Sequence, residues 1–466
     1  MRKTLIALFV IFLLTSITII SVSAETIETG TEENIQLASY DGNIKPLEEL
    51  LDIAALREYL TTEMAKCTPK ITVSQFGIPK TAVYVSALSE LIFDEMPEIF
   101  HVSTYGYSYS QSTGKIVSVS PTYDCNAAEY AERMEACKTA AENILEDIKD
   151  NEKISDVQKA LLIHDRLALW CAYDLENLEN DTLQPEAYTM YGALGMGRAV
   201  CEGYANAYMY LLDQVGIDSY ICSSMSLNHA WNIVEIDGMW YHVDVTWDDP
   251  VWDISGRVNH QNFLRSSEDF FEETGHTARD YDTTPRDETY DDAFWQDSQA
   301  AFQLVNGEIY YIDHTTKTLK HYDGEIICSV ESRWSAGGSG YWIGNFSRLA
   351  EYKDRLYYSL SDSVYLVDPV TGNAKVVFTP DTKIYGNAFR IYGLICRQGV
   401  LYCELRETPN SDSHVKPVAY VVRDIDAIEN YGKPTSAANN VGCDINKDGC
   451  VNLIDIAVLL FVRSGN

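Results

Sequence analysis

The sequence predicts an α+β protein of several domains, with mixed helices and strands up to about residue 275 and antiparallel β-structure from about residue 300. Its 466 residues are enough for about three domains. Hydrophobic residues make up 46% and aromatic residues 11% of the chain, which excludes a disordered or fibrous protein. Apolar residues recur at helical spacing in the first part, and strand patterns centred on tyrosine recur in the second.

The charge of the chain limits its partners. Lys and Arg total 35 against 69 Asp and Glu, so the formal net charge at pH 7 is −34. Such a surface repels phosphate groups and anionic lipid headgroups. We therefore expect no nucleic-acid partner and no binding to a membrane surface.

The first 24 residues have the pattern of a cleaved export signal. Two basic residues precede an apolar run from Leu5 to Leu14, and Val22-Ser23-Ala24 supplies the small residues of a cleavage site. An uncleaved anchor is the alternative, because Ile17 to Ile20 extend the apolar run. No later segment approaches the roughly 18 apolar residues of a membrane span. We expect a secreted, extracellular protein with residues 1–24 removed as a signal peptide.

The segments before the predicted site form a spacer and a mixed region. Residues 25–46 are polar and acidic, and we interpret them as a spacer; residues 47–153 are predicted to form an N-terminal α+β region. Apolar residues at helical spacing predict helices over 47–67, 81–93, 127–148 and 154–173. The alternating pattern of residues 101–123 around a turn predicts a β-hairpin.

Cys201 lies where a helix is predicted to begin. Residues 204–215 place apolar side chains on one helical face, and Gly216 is the predicted C′ residue. Unpaired backbone N–H groups and the positive end of the helix dipole favour a thiolate at such a position. A buried structural thiol or a disulfide is the alternative for a lone cysteine.

The next segment supplies candidate partners for this thiol. Two extended runs, 228–236 and 239–247, are joined by Asp237-Gly238, the strongest short hairpin signal. A two-residue turn makes Asp244 the diagonal neighbour of His229 on one face of the sheet, about 7–8 Å away in the backbone. A bulge in the hairpin would move His229 off that face. A base held by a carboxylate is what thiol catalysis requires.

These positions predict Cys201 as nucleophile, His229 as base and Asp244 as orienting group. Two other histidines receive structural interpretations: His242 as a half-exposed strand residue, and His164 as a packing or capping residue. Three more residues fit a cleft lining and a structural role equally well: Glu202, Trp231 and Trp247.

Three separated blocks of this region resemble the bacterial transglutaminase-like superfamily. They are Tyr191-Gly192-Ala193-Leu194 through Cys201-Glu202-Gly203-Tyr204-Ala205, then His229-Ala230-Trp231-Asn232, then Trp240 to Asp248. The resemblance implies a papain-like catalytic core, which we place at residues 154–275, with the same three catalytic residues. It also places Tyr191 near the developing oxyanion, and Trp231 is a candidate substrate contact. The superfamily includes cross-linking enzymes, peptidases and amidases that remove glycans from asparagine, and these motifs do not separate them.

Residues 300–425 are predicted to form a β-repeat domain. Three motifs each follow a turn, and their central tyrosines, Tyr310, Tyr357 and Tyr402, are 47 and 45 residues apart. This spacing is close to the roughly 40–50 residues of a propeller blade. Three blades do not close a ring, which needs about four. A propeller-like array and an ordinary β-meander therefore both remain open.

A linker at residues 432–442 precedes a short terminal module at residues 443–466. Oxygen ligands recur there at the spacing of an EF-hand-like calcium loop, with Gly449 at the sharp turn and a backbone carbonyl at position 7. A solvated turn is the alternative. The predicted ligands of a structural Ca²⁺ are Asp444, Asn446, Asp448, Cys450, Asn452 and Asp455.

This loop and the apolar helix after it resemble one repeat of a dockerin type I module. Dockerins carry two such repeats, and this sequence has one. The resemblance implies a cohesin scaffold of a cellulosome as a partner, in a plant-fibre-degrading bacterium.

The predicted function is that of a secreted cysteine-dependent acyl-transfer enzyme. It would act on protein or peptide amides through a thioester, as a hydrolase or as a transglutaminase-like enzyme, without a cofactor for catalysis. Hydrolysis is the expected outcome where water reaches the site. Two alternatives belong to other classes: a non-catalytic scaffold-associated binding protein, and a carbohydrate-active component of a cellulosome.

Overall fold

The computed structural model describes residues 47, 52–249, 251, 254–278, 280–335, 341–344, 346–380, 390–397, 400–406 and 419–424. The predicted signal peptide, spacer, linker and calcium module lie outside the described residues. The described residues form two compact units, which divide between residues 138 and 139. In the part of the chain that the structure describes, no helix has both the length and the apolar composition needed to cross a membrane.

The first unit combines two helices with a small antiparallel sheet. Helix α1 (Ile53–Ala65) begins after Asp52, whose carboxylate accepts the N–H of Ala55 at 3.1 Å. The predicted hairpin is present, because β2 pairs with β3 on either side of residues 111–114. The other elements are α2 (Ala82–Asp94), β1 (Ile71–Thr72), β2 (Val102–Ser110) and β3 (Lys115–Tyr123), in the sheet order β1-β3-β2.

The helices that lead to the site are shorter than their patterns predict. Helix α3 (Ala127–Leu145) ends before residue 148, and helix α4 (Asp156–Trp170) ends before residue 173. Ser155 and Gln158 form a capping box at the start of α4. The backbone of strand β4 (Ala172–Tyr173) pairs in parallel with β5 (Arg198–Ala199). Residues 172 and 173 are therefore extended and do not continue α4.

The core that carries the site is a four-stranded antiparallel sheet with helix α6 packed on it. Its strands run in the order β6-β7-β8-β9, and α6 contacts β6 and β7. The N–H groups of Gly216 and Ile217 donate to Asp213 and Leu212, which ends α6 in a Schellman motif at the predicted glycine. These elements are α6 (Cys201–Asp213), β6 (Ser219–Ser224), β7 (His229–Ile236), β8 (Met239–Val243) and β9 (Phe263–Arg265).

The hairpin of β7 and β8 has the predicted register, with Ile236 opposite Met239 and Ile233 opposite His242. Its second run is shorter than predicted. Strand β8 ends at Val243, and residues 245–248 form a one-turn helix, α7 (Val245–Asp248), instead of continuing as a strand to residue 247. Three short elements complete the core: α5 (Leu175–Glu179), a π-turn (Tyr191–Gly195) and α8 (Ser267–Glu272).

The region from residue 303 consists of separate antiparallel sheets. The tyrosine motifs lie on the second strand of three of them, which accounts for their regular spacing. Among the described residues these sheets do not close into a ring. The first sheet contains β10 (Gln303–Val305), β11 (Glu308–Asp313), β12 (Thr318–His321) and β13 (Ile326–Ser329); the second contains β14 (Ser332–Ser335) and β15 (Tyr341–Gly344). The third contains β16 (Leu349–Tyr352), β17 (Arg355–Ser359), β18 (Val364–Val367) and β19 (Ala374–Phe378), and the fourth contains β20 (Arg390–Arg397), β21 (Val400–Arg406) and β22 (Ala419–Asp424).

Candidate active site

Cys201 is the first residue of helix α6, and its thiol is free and half-buried. The preceding residue, Val200, provides no side-chain cap, and first-turn N–H groups have no partner within a helix. Gly203 allows the helix to begin here, because a Cβ at this position would lie 2.6 Å from the carbonyl oxygen of Ala187 and 2.7 Å from the Cβ of Ala199. The helix start is therefore held against the segment before it, with the sulfur at its N-terminus.

His229 is the first residue of β7, and its ring interacts with Asp244 and with Cys201. Nε2 lies 2.5 Å from Oδ2 of Asp244, and Cys201 is a second hydrogen-bond partner of the ring. Because Nε2 is occupied by Asp244, Nδ1 is the nitrogen available to the thiol. Burial opposes the charged form, but Asp244 and Cys201 outweigh it and raise the pKa of His229 to about 10.

Asp244 is fully buried at the N-cap of helix α7. Its Oδ1 accepts the backbone N–H of Trp247 at 3.1 Å, so the turn after β8 fixes the carboxylate. Oδ2 accepts from His229 and, at 3.0 Å, from Nε2 of His276. Burial alone would raise the pKa of this carboxyl group, and the two imidazoles hold it well below its usual range. The residue is thus ionised and oriented on both oxygens.

His276 belongs to the same cluster, although the sequence analysis did not identify it. It lies in the loop after α8, is fully buried and stacks on Phe270 with 3.6 Å between ring centroids. Its Nδ1 lies 2.7 Å from the hydroxyl of Thr274. A loop histidine outside any periodic pattern carries no sequence signal, and only the fold brings it to Asp244.

Two tryptophans flank the imidazole of His229. Trp231 lies 5.6 Å away with nearly parallel rings and is 1% exposed. Trp247 stacks at 5.0 Å and is 39% exposed, so it is the ring beside His229 that solvent reaches. Trp231 donates its Nε1–H to Nδ1 of His242 at 3.0 Å.

His242 differs from the predicted half-exposed strand residue. It is fully buried, accepts from Trp231 and contacts the hydroxyl of Ser267 at 2.9 Å. Burial, with His276 nearby, lowers its pKa to about 3, so the ring is neutral. The reason is helix α8, whose Phe270 stacks on the ring at 4.6 Å and covers this face of the sheet. His242 therefore fixes Trp231 beneath His229.

Two tyrosines and one carboxyl group lie near the sulfur. Burial, followed by the proximity of Cys201 and Tyr188, raises the pKa of Tyr173 on β4. The pKa of Tyr188 is raised by burial, then by Glu202 and Cys201. Glu202 is reached by solvent, yet the surrounding protein desolvates its carboxyl group and raises its pKa to about 7. Tyr173, Tyr188 and Glu202 thus form the surroundings of the thiol.

Tyr191 begins the π-turn that precedes β5 and is half-buried. The turn is tightly packed, because a Cβ on Gly192 would lie 2.2 Å from the carbonyl oxygen of Glu186. The tyrosine is therefore held on a rigid segment upstream of Cys201.

A second buried histidine–carboxylate cluster lies around His164. Its Nδ1 contacts Asp165 at 2.8 Å and its Nε2 contacts Asp248 at 3.2 Å. His260 contacts Asp165 at 2.9 Å, and the other oxygen of Asp165 accepts the N–H of Phe302 at 2.6 Å. His164, predicted as a packing or capping residue, is thus a buried ring held by hydrogen bonds to two carboxylates, and it does not cap a helix. In this cluster and in the one around Asp244 the nitrogen and oxygen atoms lie at hydrogen-bonding distance.

Part of the chain that carries this site is similar to a known protein family. Residues 139–245 match the family model of the transglutaminase-like superfamily. One similar solved structure is described as a TGase; it is 14% identical over 31% of this chain and 44% of that chain, with a TM-score of 0.22. The chain thus spans less than half of that structure's length. No curated protein matches the chain. The family match supports a transglutaminase-like core at residues 139–245 of this α+β chain.

Proposed function

We propose that this protein is a cysteine-dependent acyl-transfer enzyme that acts on protein or peptide amides. In this proposal Cys201 is the nucleophile, His229 the base and Asp244 the orienting group. The observation that carries it is the position of His229, whose imidazole has the thiol as one partner and a fully buried carboxylate 2.5 Å away as the other. A structural cysteine has no need of such a pair.

The reaction follows from the orientation of this imidazole. In the resting pair Nδ1 of His229 already holds the thiol proton while Nε2–H remains on Asp244, and the resulting thiolate attacks the amide carbonyl. Backbone N–H groups in the first turn of α6 would stabilise the oxyanion, with Tyr191 as a further candidate. The imidazolium then gives its proton to the leaving amine as the C–N bond breaks, which leaves a thioester on Cys201. Water or an amine attacks the thioester and releases the product.

Hydrolysis is the outcome that the surroundings favour. Cys201 is half-buried rather than sealed, and Trp247 beside His229 is 39% exposed. Transamidation requires a site that excludes water from the thioester. We therefore assign hydrolysis of an amide as the primary activity.

Selective alkylation tests the nucleophile without knowledge of the substrate. A low dose of iodoacetamide at neutral pH, followed by peptide mass spectrometry, should modify Cys201 first. Cys222 serves as the internal control, because burial raises its pKa to about 12 and it should stay unmodified. A Cys201 no more reactive than Cys222 would favour the alternative of a non-catalytic binding protein.

A substrate screen then tests the reaction. Casein digests and a panel of glycopeptides, incubated with the wild type and with Cys201→Ala, separate peptidase from glycan-removing amidase activity. Full amidase activity in Cys201→Ala would refute the assignment. Binding of the full chain to insoluble polysaccharide would support the carbohydrate-active alternative instead.

Export and scaffold attachment form a separate part of the proposal. The signal pattern of residues 1–24 supports a secreted protein, and the ligand spacing of Asp444 to Asp455 supports a structural Ca²⁺ and a cohesin partner. Calcium titration of the full chain by calorimetry, with Asp448→Ala as control, tests the metal site. Equal heats for both proteins would refute it.

A further inference from the structure

His276 and His229 share one oxygen of a buried carboxylate. Nε2 of His276 lies 3.0 Å from Oδ2 of Asp244, and Nε2 of His229 lies 2.5 Å from the same atom. All three residues are at most 8% exposed. The acyl-transfer steps described above use His229 and Asp244 and leave His276 without a role.

The ring of His276 is held on its faces and on both nitrogens. It stacks on Phe270 at 3.6 Å, and the indole of Trp247 lies 4.0 Å away. Nδ1 lies 2.7 Å from the hydroxyl of Thr274, which is also 2.6 Å from the carbonyl oxygen of Phe270. These contacts fix the orientation of the ring, so Nε2 points toward Asp244.

The N–H at Nε2 is present whichever charge the ring carries. Thr274 has a single hydroxyl proton, which it gives to Nδ1 when the ring is neutral and to the carbonyl of Phe270 when the ring is charged. In both states Asp244, which has no proton of its own, accepts from Nε2. The donor to the carboxylate is therefore permanent.

Five titratable groups lie around His276, and one of them, Tyr281, donates its hydroxyl to the backbone carbonyl of His276 at 3.3 Å. Burial lowers its pKa, Asp244 and Asp248 oppose this effect, and His229 adds to it. The neutral ring of His242 lies on the other side of Phe270. Two carboxylates, two other imidazoles and one phenol thus lie around His276.

We propose that His276 is a positioning residue of the acyl-transfer reaction, whose Nε2–H keeps Asp244 ionised and its charge divided between two imidazoles. The inference rests on the proposed function. With a second donor on Oδ2, the carboxylate attracts the proton of His229 less strongly. That proton stays on Nε2, the imidazolium keeps its full charge opposite the thiolate, and Nδ1 remains the nitrogen that faces Cys201.

Two substitutions at His276 separate hydrogen bonding from packing. His276→Phe keeps a ring between Phe270 and Trp247 but removes the donor, whereas His276→Gln restores an N–H near the position of Nε2. His101→Phe is the matched control, because His101 is also buried and stacks on two tyrosines, at 5.2 and 3.9 Å, in the first unit. Thermal unfolding of each full-length variant checks the fold.

The measurement is the rate of iodoacetamide modification of Cys201 between pH 4 and 9, with kcat and KM where a substrate has been found. In His276→Phe we expect the modification rate at pH 6 to be about 10- to 100-fold lower than in the wild type. The acid limb, in which the rate rises with pH, should move to higher pH, and KM should be unchanged. His276→Gln should recover most of the rate and the original acid limb. His101→Phe should behave as the wild type.

Three results would overturn the inference. They are a wild-type profile in His276→Phe, equal losses in the Phe and Gln variants with an unmoved acid limb, and a shifted profile in His101→Phe. If His276→Phe does not fold, His276→Asn replaces it, because its amide is too short to reach Asp244. A wild-type Cys201 that is unreactive at neutral pH would refute the proposed function instead, since the inference concerns only how a reactive thiol is tuned.

Discussion

Asp244→Asn should disable the site with almost no change in side-chain volume. The carboxylate accepts three hydrogen bonds, two from the imidazoles of His229 and His276 and one from the backbone of Trp247. An asparagine can keep the bond to Trp247 through its oxygen, but its amide group then faces two N–H donors. His229 must move its proton to Nδ1 or turn away, and either change removes the acceptor for the thiol proton.

The size of the loss follows from the bonds removed. A hydrogen bond to a charged group contributes about 1.5–3 kcal/mol, so two of them amount to about 3–6 kcal/mol. Because a tenfold change in rate corresponds to about 1.4 kcal/mol, kcat/KM should fall by roughly 10² to 10⁴. The pKa of His229, about 10 in the wild type, should fall below its usual range, because burial would remain and the carboxylate would be gone.

Iodoacetamide modification of Cys201 as a function of pH measures this effect without a substrate. The wild-type thiol should react at pH 7, where His229 is charged, whereas in Asp244→Asn the rate should be low at pH 7 and rise toward alkaline pH. Asp313→Asn is the matched control, because Asp313 is a buried carboxylate that pairs with Lys320 in the β-repeat region. Identical pH profiles for the wild type and Asp244→Asn would refute the reasoning, whatever the stability of the variant.

Gly203→Ala places a methyl group 2.6 Å from a carbonyl oxygen, so we expect the free energy of unfolding in urea to fall by about 1–3 kcal/mol and Cys201 to react more slowly. Gly216→Ala is the control, because φ is +76° there but the space is open. Its free energy of unfolding should fall by about 1–2 kcal/mol, with the reactivity of Cys201 unchanged. The pKa of His164 is raised to about 9, so its contribution to the free energy of unfolding is complete below about pH 6.5 and is lost as the pH rises through 9. The difference in urea midpoint between the wild type and His164→Gln should accordingly shrink over that interval, and a constant difference would contradict this. Glu202→Gln should remove any pH dependence of kcat/KM near pH 7. If the dependence persists in this variant, a group other than Glu202 causes it.

The hairpin that carries the site was predictable from its turn. Asp237 and Gly238 have positive φ values of 52° and 80°, which this type of two-residue turn requires, and the turn fixes the register of every later pair. The register was enough to bring Asp244 near His229. The alternating pattern could not show where the strand ends, because one turn of helix is too short to carry a periodic signal.

The parts of the site that sequence reasoning missed depend on contacts between distant segments. The alternating pattern showed on which face of the sheet His242 lies, but not that this face is buried. It is buried because Phe270, in a six-residue helix, packs on it. His276 and Tyr173 lie in a loop and in a two-residue strand, where no pattern marks them. Such residues become visible only when the chain between them has folded.

Helix α7 joins the two buried histidine–carboxylate clusters in a single turn. Asp244 and Asp248 are four residues apart, and the N–H of Asp248 donates to the carbonyl of Asp244 at 3.2 Å. Asp248 contacts His164, which contacts Asp165, and Asp165 accepts the backbone N–H of Phe302 at the start of the β-repeat region. Because all of these carboxylates are fully buried, loss of one partner leaves a charge that water cannot reach. The carboxylate of Asp244 is therefore linked, through helix α7 and the cluster around His164, to the backbone of Phe302.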